Sequence, residues 1–189
     1  MGRVTDVVKH LIGINVILFL AVNLISIPGL RQYFVFFHPN SGAFQPIQVF
    51  THMFMHANIG HIAFNMLSLF FIGPTVENYL GPKKFLLLYF ISGLGALLAH
   101  LLIGGGAPVL GASGAVYGVF AAFAFLFPNT QLMLLFPPIP IKAKYLVLLL
   151  VAYDLFSGVS NASTGVAHFA HLGGAFFGIL MILYWRKFA

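Results

Sequence analysis

Six long apolar stretches, separated by short segments rich in turn-forming residues, organise this chain. Apolar residues run almost unbroken over 10–27, 57–79, 84–102, 113–127, 144–158 and 165–185. About 20 such residues cross a bilayer as a helix. The breaks are Pro28 to Gly42, Gly81-Pro82, Gly104-Gly105-Gly106, Pro128 to Pro140 and Ser157 to Thr164, all stretches that interrupt helices. The pattern predicts an all-α membrane protein, a compact bundle of six transmembrane helices forming a single domain over 1–189.

Composition sharpens this picture. The chain is 60% hydrophobic and 6% charged, with 22 Phe, far more apolar than a soluble core of this size requires. Its formal charge of +6 does not point to nucleic acid, because the basic residues mark topology instead. With the N-terminus inside, Arg3, Lys9, Lys83, Lys84, Lys142, Lys144, Arg186 and Lys187 fall on the cytoplasmic side and Arg31 alone outside, as the positive-inside rule requires. The expected setting is the lipid bilayer of a prokaryotic plasma membrane, with both termini cytoplasmic. The first span lacks a small-residue cleavage site and reads as a retained helix rather than a signal peptide. No cysteine is present, which excludes disulfides and thiol catalysis.

Polar groups at membrane depth are costly, so they are functional candidates by default. Ser113 lies in Gly111-Ala112-Ser113-Gly114-Ala115-Val116-Tyr117-Gly118, and His171 in Ala167-His168-Phe169-Ala170-His171-Leu172-Gly173-Gly174. Helices two, four and six end at Tyr79, Phe127 and Trp185, and Asn65, Ser113 and His171 each precede their marker by 14 positions. At 1.5 Å per residue all three lie about 21 Å from that end. The fourth helix is short, so Gly104 to Gly111 must dip inward to reach Ser113. Irregular backbone at that depth is tolerated only against protein or a water-filled cavity.

Small residues bring helices four and six together. Gly114 and Gly118 form one small-xxx-small pair, Gly174 and Gly178 another, the pattern of closely approaching backbones. His171 shares the face of Gly174 and Gly178, and Tyr117 lies one turn below Ser113. A hydrogen bond between Ser113 and His171 is expected. The bland alternative is a packed bundle in which Ser113 bonds only to backbone.

These residues carry a resemblance. His56-Ala57-Asn58-Ile59-Gly60-His61-Ile62-Ala63-Phe64-Asn65, Gly111-Ala112-Ser113-Gly114 and Ala170-His171-Leu172-Gly173-Gly174 are similar to the motifs of the rhomboid family of intramembrane serine proteases, over nearly the whole chain. The resemblance implies a Ser113 nucleophile with His171 as general base, a dyad without a carboxylate; Asp6, Glu77 and Asp154 all read as remote from the site. It implies oxyanion donors at the Ser113 backbone N–H, the His56 side chain and the Asn65 amide, with Tyr117 stacked on His171. The supporting residues are His61, bracing the first outer loop, and Gly111, Gly114, Gly174 and Gly178. It also implies single-span transmembrane proteins as substrates, admitted between helices two and five, with Phe156 packed against helix two as a gate. No cofactor is expected, and no histidine spacing signals a metal.

Among the other histidines, His168 lies about 4.5 Å nearer the outer surface than His171, too shallow for Ser113. His10, His38, His52 and His100 read as interfacial. Glu77, with Gly81, is expected to tie helix ends together. Ile47-Gln48 stands where many family members carry Trp-Arg, which leaves the contacts of the first outer loop open. Two other functions remain: an inactive rhomboid-like substrate-binding protein, and a small transporter with broken helices, for which no internal repeat speaks. A soluble α/β-hydrolase is excluded, since its Gly-x-Ser-x-Gly elbow needs a strand before the serine.

Overall fold

The computed structural model describes residues 4–23, 25, 27–134, 137–160 and 166–188. Arg3, positions 24 and 26 of the first expected span, the loop 161–164 and the expected start of helix six at 165 lie outside the described residues. Among the described residues six long helices occur: α1 (Asp6–Asn23), α2 (Ile59–Leu80), α3 (Pro82–Ile103), α4 (Ser113–Leu126), α5 (Ala143–Val159) and α6 (His168–Phe188). Of these, α1, α2, α3 and α6 are long and apolar enough to cross a membrane. Helices α4 and α5 are shorter, at 14 and 17 residues.

Helix α1 starts at Asp6, four residues before the expected boundary, because a distant carboxylate caps it. Glu77 of α2 accepts hydrogen bonds from the Thr5 hydroxyl and from the N–H groups of Val7 and Val8. An acidic group at a helix N-terminus satisfies orphan donors and complements the helix dipole. Glu77 thus fastens α1 to α2, the helix-tying role its position implied.

Helix α4 is the axis of the fold, with every residue from Gly114 to Ala124 buried. Its closest neighbours are α3 and α6, and small residues make this approach feasible. A Cβ at Gly174 would lie 2.0 Å from the Gly114 carbonyl oxygen, and one at Gly178 would lie 2.5 Å from that of Gly118. Helix α3 joins from the other side: a Cβ at Gly118 would lie 2.0 Å from Ser92 Oγ, and one at Gly173 would lie 2.7 Å from the Gly95 carbonyl oxygen.

The basic ends of the helices meet. Tyr79 packs edge-on against Phe127, Lys84 lies over Trp185, and Arg186 lies over Phe125. The segment 128–140, expected as a turn, instead leads into a two-stranded hairpin of β1 (Gln131–Met133) and β2 (Pro140–Lys142).

At the opposite end, the first outer loop is organised by Gln48. Its buried side chain donates to the carbonyls of Gln32 at 2.8 Å and Ala43 at 3.1 Å and accepts from Phe37 N–H at 3.3 Å. The loop therefore has a polar core despite lacking Trp-Arg. It also holds the segment between α3 and α4: Phe36 and Val109 exchange backbone hydrogen bonds, and Gly111 N–H donates to the His52 carbonyl at 2.8 Å. His52 and His100 are buried, not interfacial. His100 reaches the Ala107 carbonyl at 3.0 Å and so supports the same segment.

Candidate active site

Ser113 is the first residue of α4, so its backbone N–H belongs to the helix turn that lacks intrahelical acceptors. His171 lies one turn into α6. Its Nε2 is 2.9 Å from Ser113 Oγ, and its ring stacks on Tyr117 with centroids 4.2 Å apart and planes 16° from parallel. The close approach of α4 and α6 at Gly114 and Gly174 is what makes this distance attainable.

The other nitrogen of His171 has a partner that was not expected. Asp154 of α5, 1% exposed, presents its carboxylate to His171 Nδ1 at 3.1 and 3.3 Å, and the same Oδ1 lies 2.6 Å from His168 Nδ1. The expectation of a site without a carboxylate is corrected. Asp154 stands five residues before the end of α5 and His171 three after the start of α6, so the two meet at one level. His168 turns to Asp154, while His171 bonds to Ser113.

The two histidines near the start of α2 are not placed as expected: His61 lines the cavity and His56 does not. Asn58 caps α2 by accepting from His61 N–H at 2.9 Å, which fixes the helical phase that aims His61 and Asn65 into one cavity. His61 Nδ1 accepts from Ala57 N–H at 3.4 Å, which leaves the proton on Nε2. A Cβ at Gly111 would lie 2.7 Å from that Nε2 and 3.7 Å from Ser113 Oγ, so the His61 ring borders the serine. Gly111 has φ +124°, a conformation that favours glycine. His56 is buried behind, edge-on to His61 at 5.0 Å, and is not among the residues lining the cavity. Burial, with His61 nearby, pulls the His56 pKa down to about 3; burial likewise pulls His52 down to about 4. Both imidazoles are neutral at pH 7.

Asn65 donates one amide hydrogen to the His61 carbonyl at 2.8 Å and has a second still to give. The cavity has a volume of about 1030 Å³ and is lined by Ser113, His171, His61, Asn65, Tyr117 and Gly111 among others. Phe156 is 75% exposed on α5, so it is not packed against helix two as the gate reading required.

Comparison with known proteins settles the lineage. A model of the Rhomboid domain matches residues 43–188. The chain belongs to the rhomboid family. Similar rhomboids include Rhomboid protein 1, mitochondrial, of Saccharomyces cerevisiae, 32% identical over 96% of this chain and 54% of that protein. RHOMBOID-like protein 12, mitochondrial, of Arabidopsis thaliana is 34% identical over 66% of this chain and 42% of its own length. Rhomboid protease AarA of Providencia stuartii is 32% identical over 68% of this chain and 52% of its own. The chain thus spans about half the length of these rhomboids. Two of the three are named as mitochondrial, which overturns the expectation of a prokaryotic plasma membrane. Clustered basic residues distinguish the two ends of a helical bundle; they do not say which membrane holds it.

One feature of this rhomboid site was missed in the sequence, and another was read but given a different part. His61, four residues before Asn65 and so on its face, was expected to brace the first outer loop. Asp154 falls at the depth of His171 once helix five is measured from its outer end.

Proposed function

We propose that this rhomboid is an intramembrane serine endopeptidase with six membrane spans, cleaving single-span membrane proteins in or near their transmembrane segment. The observation that carries the reading is the 2.9 Å contact between Ser113 Oγ and His171 Nε2 at the edge of a cavity inside an apolar bundle. A serine hydroxyl becomes nucleophilic when an adjacent base takes its proton. Ser113 Oγ attacks the scissile carbonyl carbon while His171 Nε2 accepts the hydroxyl proton. The oxyanion is met by the Ser113 backbone N–H, the second amide hydrogen of Asn65 and the Nε2–H of His61. His171 then protonates the leaving amine, and the acyl-enzyme is hydrolysed by water that the same histidine deprotonates.

Relatives support this reading, since one of them is named as a protease. The test uses purified protein in detergent with a fluorophosphonate probe and a panel of labelled transmembrane peptides, the cuts being mapped by mass spectrometry. Covalent labelling at Ser113 together with cleavage is the expected result. Peptide binding without labelling or cleavage would identify an inactive substrate-binding rhomboid instead.

A further inference from the structure

We propose that Asp154 is the positioning residue of this site: its carboxylate accepts the Nδ1–H of His171 and so holds the tautomer whose bare Nε2 faces Ser113, while His168 steadies the carboxylate through the same Oδ1. The proposal rests on the proteolytic reading above and deepens it.

A neutral imidazole carries one proton, and Nε2 serves as a base only when that proton is on Nδ1. The stack on Tyr117 sets the plane of the ring, but a stack is indifferent to which nitrogen is protonated. An ionised carboxylate only accepts hydrogen bonds, so placed at Nδ1 it selects the tautomer directly. It also stabilises the imidazolium that forms when His171 takes the serine proton.

The surroundings of Asp154 fit this task. A carboxylate inside an apolar helical bundle is costly unless paired, and Asp154 is buried with two imidazoles as partners. His168 makes the shorter contact, 2.6 Å to Oδ1, and Tyr153 meets its ring edge-on at 5.9 Å. Both histidines that meet the carboxylate stand on α6, three residues apart, and Tyr153 of α5 backs the ring of His168. His171 meets both carboxylate oxygens, at 3.1 and 3.3 Å, while its Nε2 remains for Ser113. The arrangement lines up serine, histidine and aspartate, the carboxylate orienting the imidazole, with a second histidine as brace.

The test compares Asp154→Asn and Asp154→Glu with the unaltered protein in detergent. Three quantities are measured: kcat and KM on a cleaved transmembrane peptide, the rate of fluorophosphonate labelling at Ser113, and the protonation of each histidine nitrogen by NMR of ¹⁵N-histidine-labelled protein. An asparagine preserves shape but can donate to Nδ1, which favours the wrong tautomer. The expected loss in kcat for Asp154→Asn is about 10²- to 10⁴-fold, with KM changed less than about threefold and labelling slowed in parallel. Asp154→Glu, which restores the acceptor, should recover activity above the Asn variant.

Wild-type kcat and labelling in a folded Asp154→Asn protein would overturn the proposal. So would an unaltered protein whose His171 carries its proton on Nε2, a result that holds even if Asp154→Asn fails to fold. An unaltered protein that neither labels nor cleaves would remove the proteolytic reading alone; a proton found on His171 Nδ1 would then still support the contact with Asp154.

Discussion

His56 and His61 meet edge-on at 5.0 Å, and His61 alone of the two lines the cavity that holds Ser113. His61→Ala should therefore lower kcat by about 10²- to 10³-fold, the effect of losing one oxyanion donor, with little change in KM. His56→Ala should lower kcat less than about tenfold and act mainly on stability. Steady-state kinetics on one transmembrane peptide would separate them. Equal losses in kcat would place both imidazoles in the machinery.

Ser113→Ala and His171→Ala should each abolish cleavage while leaving the helical circular dichroism spectrum unchanged. The double variant should be no worse than either single one, because residues acting as a unit lose their contribution together. Substantial activity in either single variant would break the assignment.

Helix packing gives a third contrast. A methyl group on Gly174 would meet the Gly114 carbonyl oxygen at 2.0 Å, so Gly174→Ala must push α6 from α4. It should cost about 1–3 kcal/mol and reduce kcat by separating His171 from Ser113. Phe156→Ala, at an exposed position on α5, should change stability by less than about 0.5 kcal/mol. Thermal unfolding in detergent reads both, and a stable Gly174→Ala would mean that the helices yield at no cost.

Stability should fall in mild acid. Burial holds the pKa of His52 near 4 and that of His56 near 3, against an ordinary 6.5. The folded chain thus binds these protons less readily than the unfolded one, and the stability this gives is complete above about pH 6.5 and lost as pH drops below it. Each group contributes about 1.4 kcal/mol per pH unit in that window, or roughly 4 kcal/mol for the pair between pH 7 and pH 5. Denaturation curves at pH 7, 6 and 5 measure it. A flat response would show that the two imidazoles reach water in the folded state.

Much of this architecture was legible in the sequence because apolar length and turn residues mark helices plainly. Ser113 opens α4 at the expected residue, and the ends marked by Tyr79, Phe127 and Trp185 do gather on one side. The alignment of Ser113 with His171 was readable for the same reason: both are measured along straight helices from a common end. His56 was misplaced because it precedes the α2 cap at Asn58, where no helical period fixes the direction of a side chain. Asp154 lies five residues from the C-terminal end of α5, a depth that counting from the basic end of the bundle does not show. The three contacts of Gln48 depend on the path of an irregular loop, and no spacing encodes that path. The hairpin of β1 and β2, three residues in each strand, is too short to show alternation.

The cap on α1 has a consequence for the order in which the chain is built. Val8 and the glutamate that receives its N–H are 69 residues apart, so all of α1, the first outer loop and most of α2 are polymerised before that carboxylate exists. Helix α1 is made before α2, and the cap on its first turn is completed only afterwards. Until the C-terminal end of α2 arrives beside it, the N–H groups of Val7 and Val8 lack the carboxylate that accepts them in the folded chain.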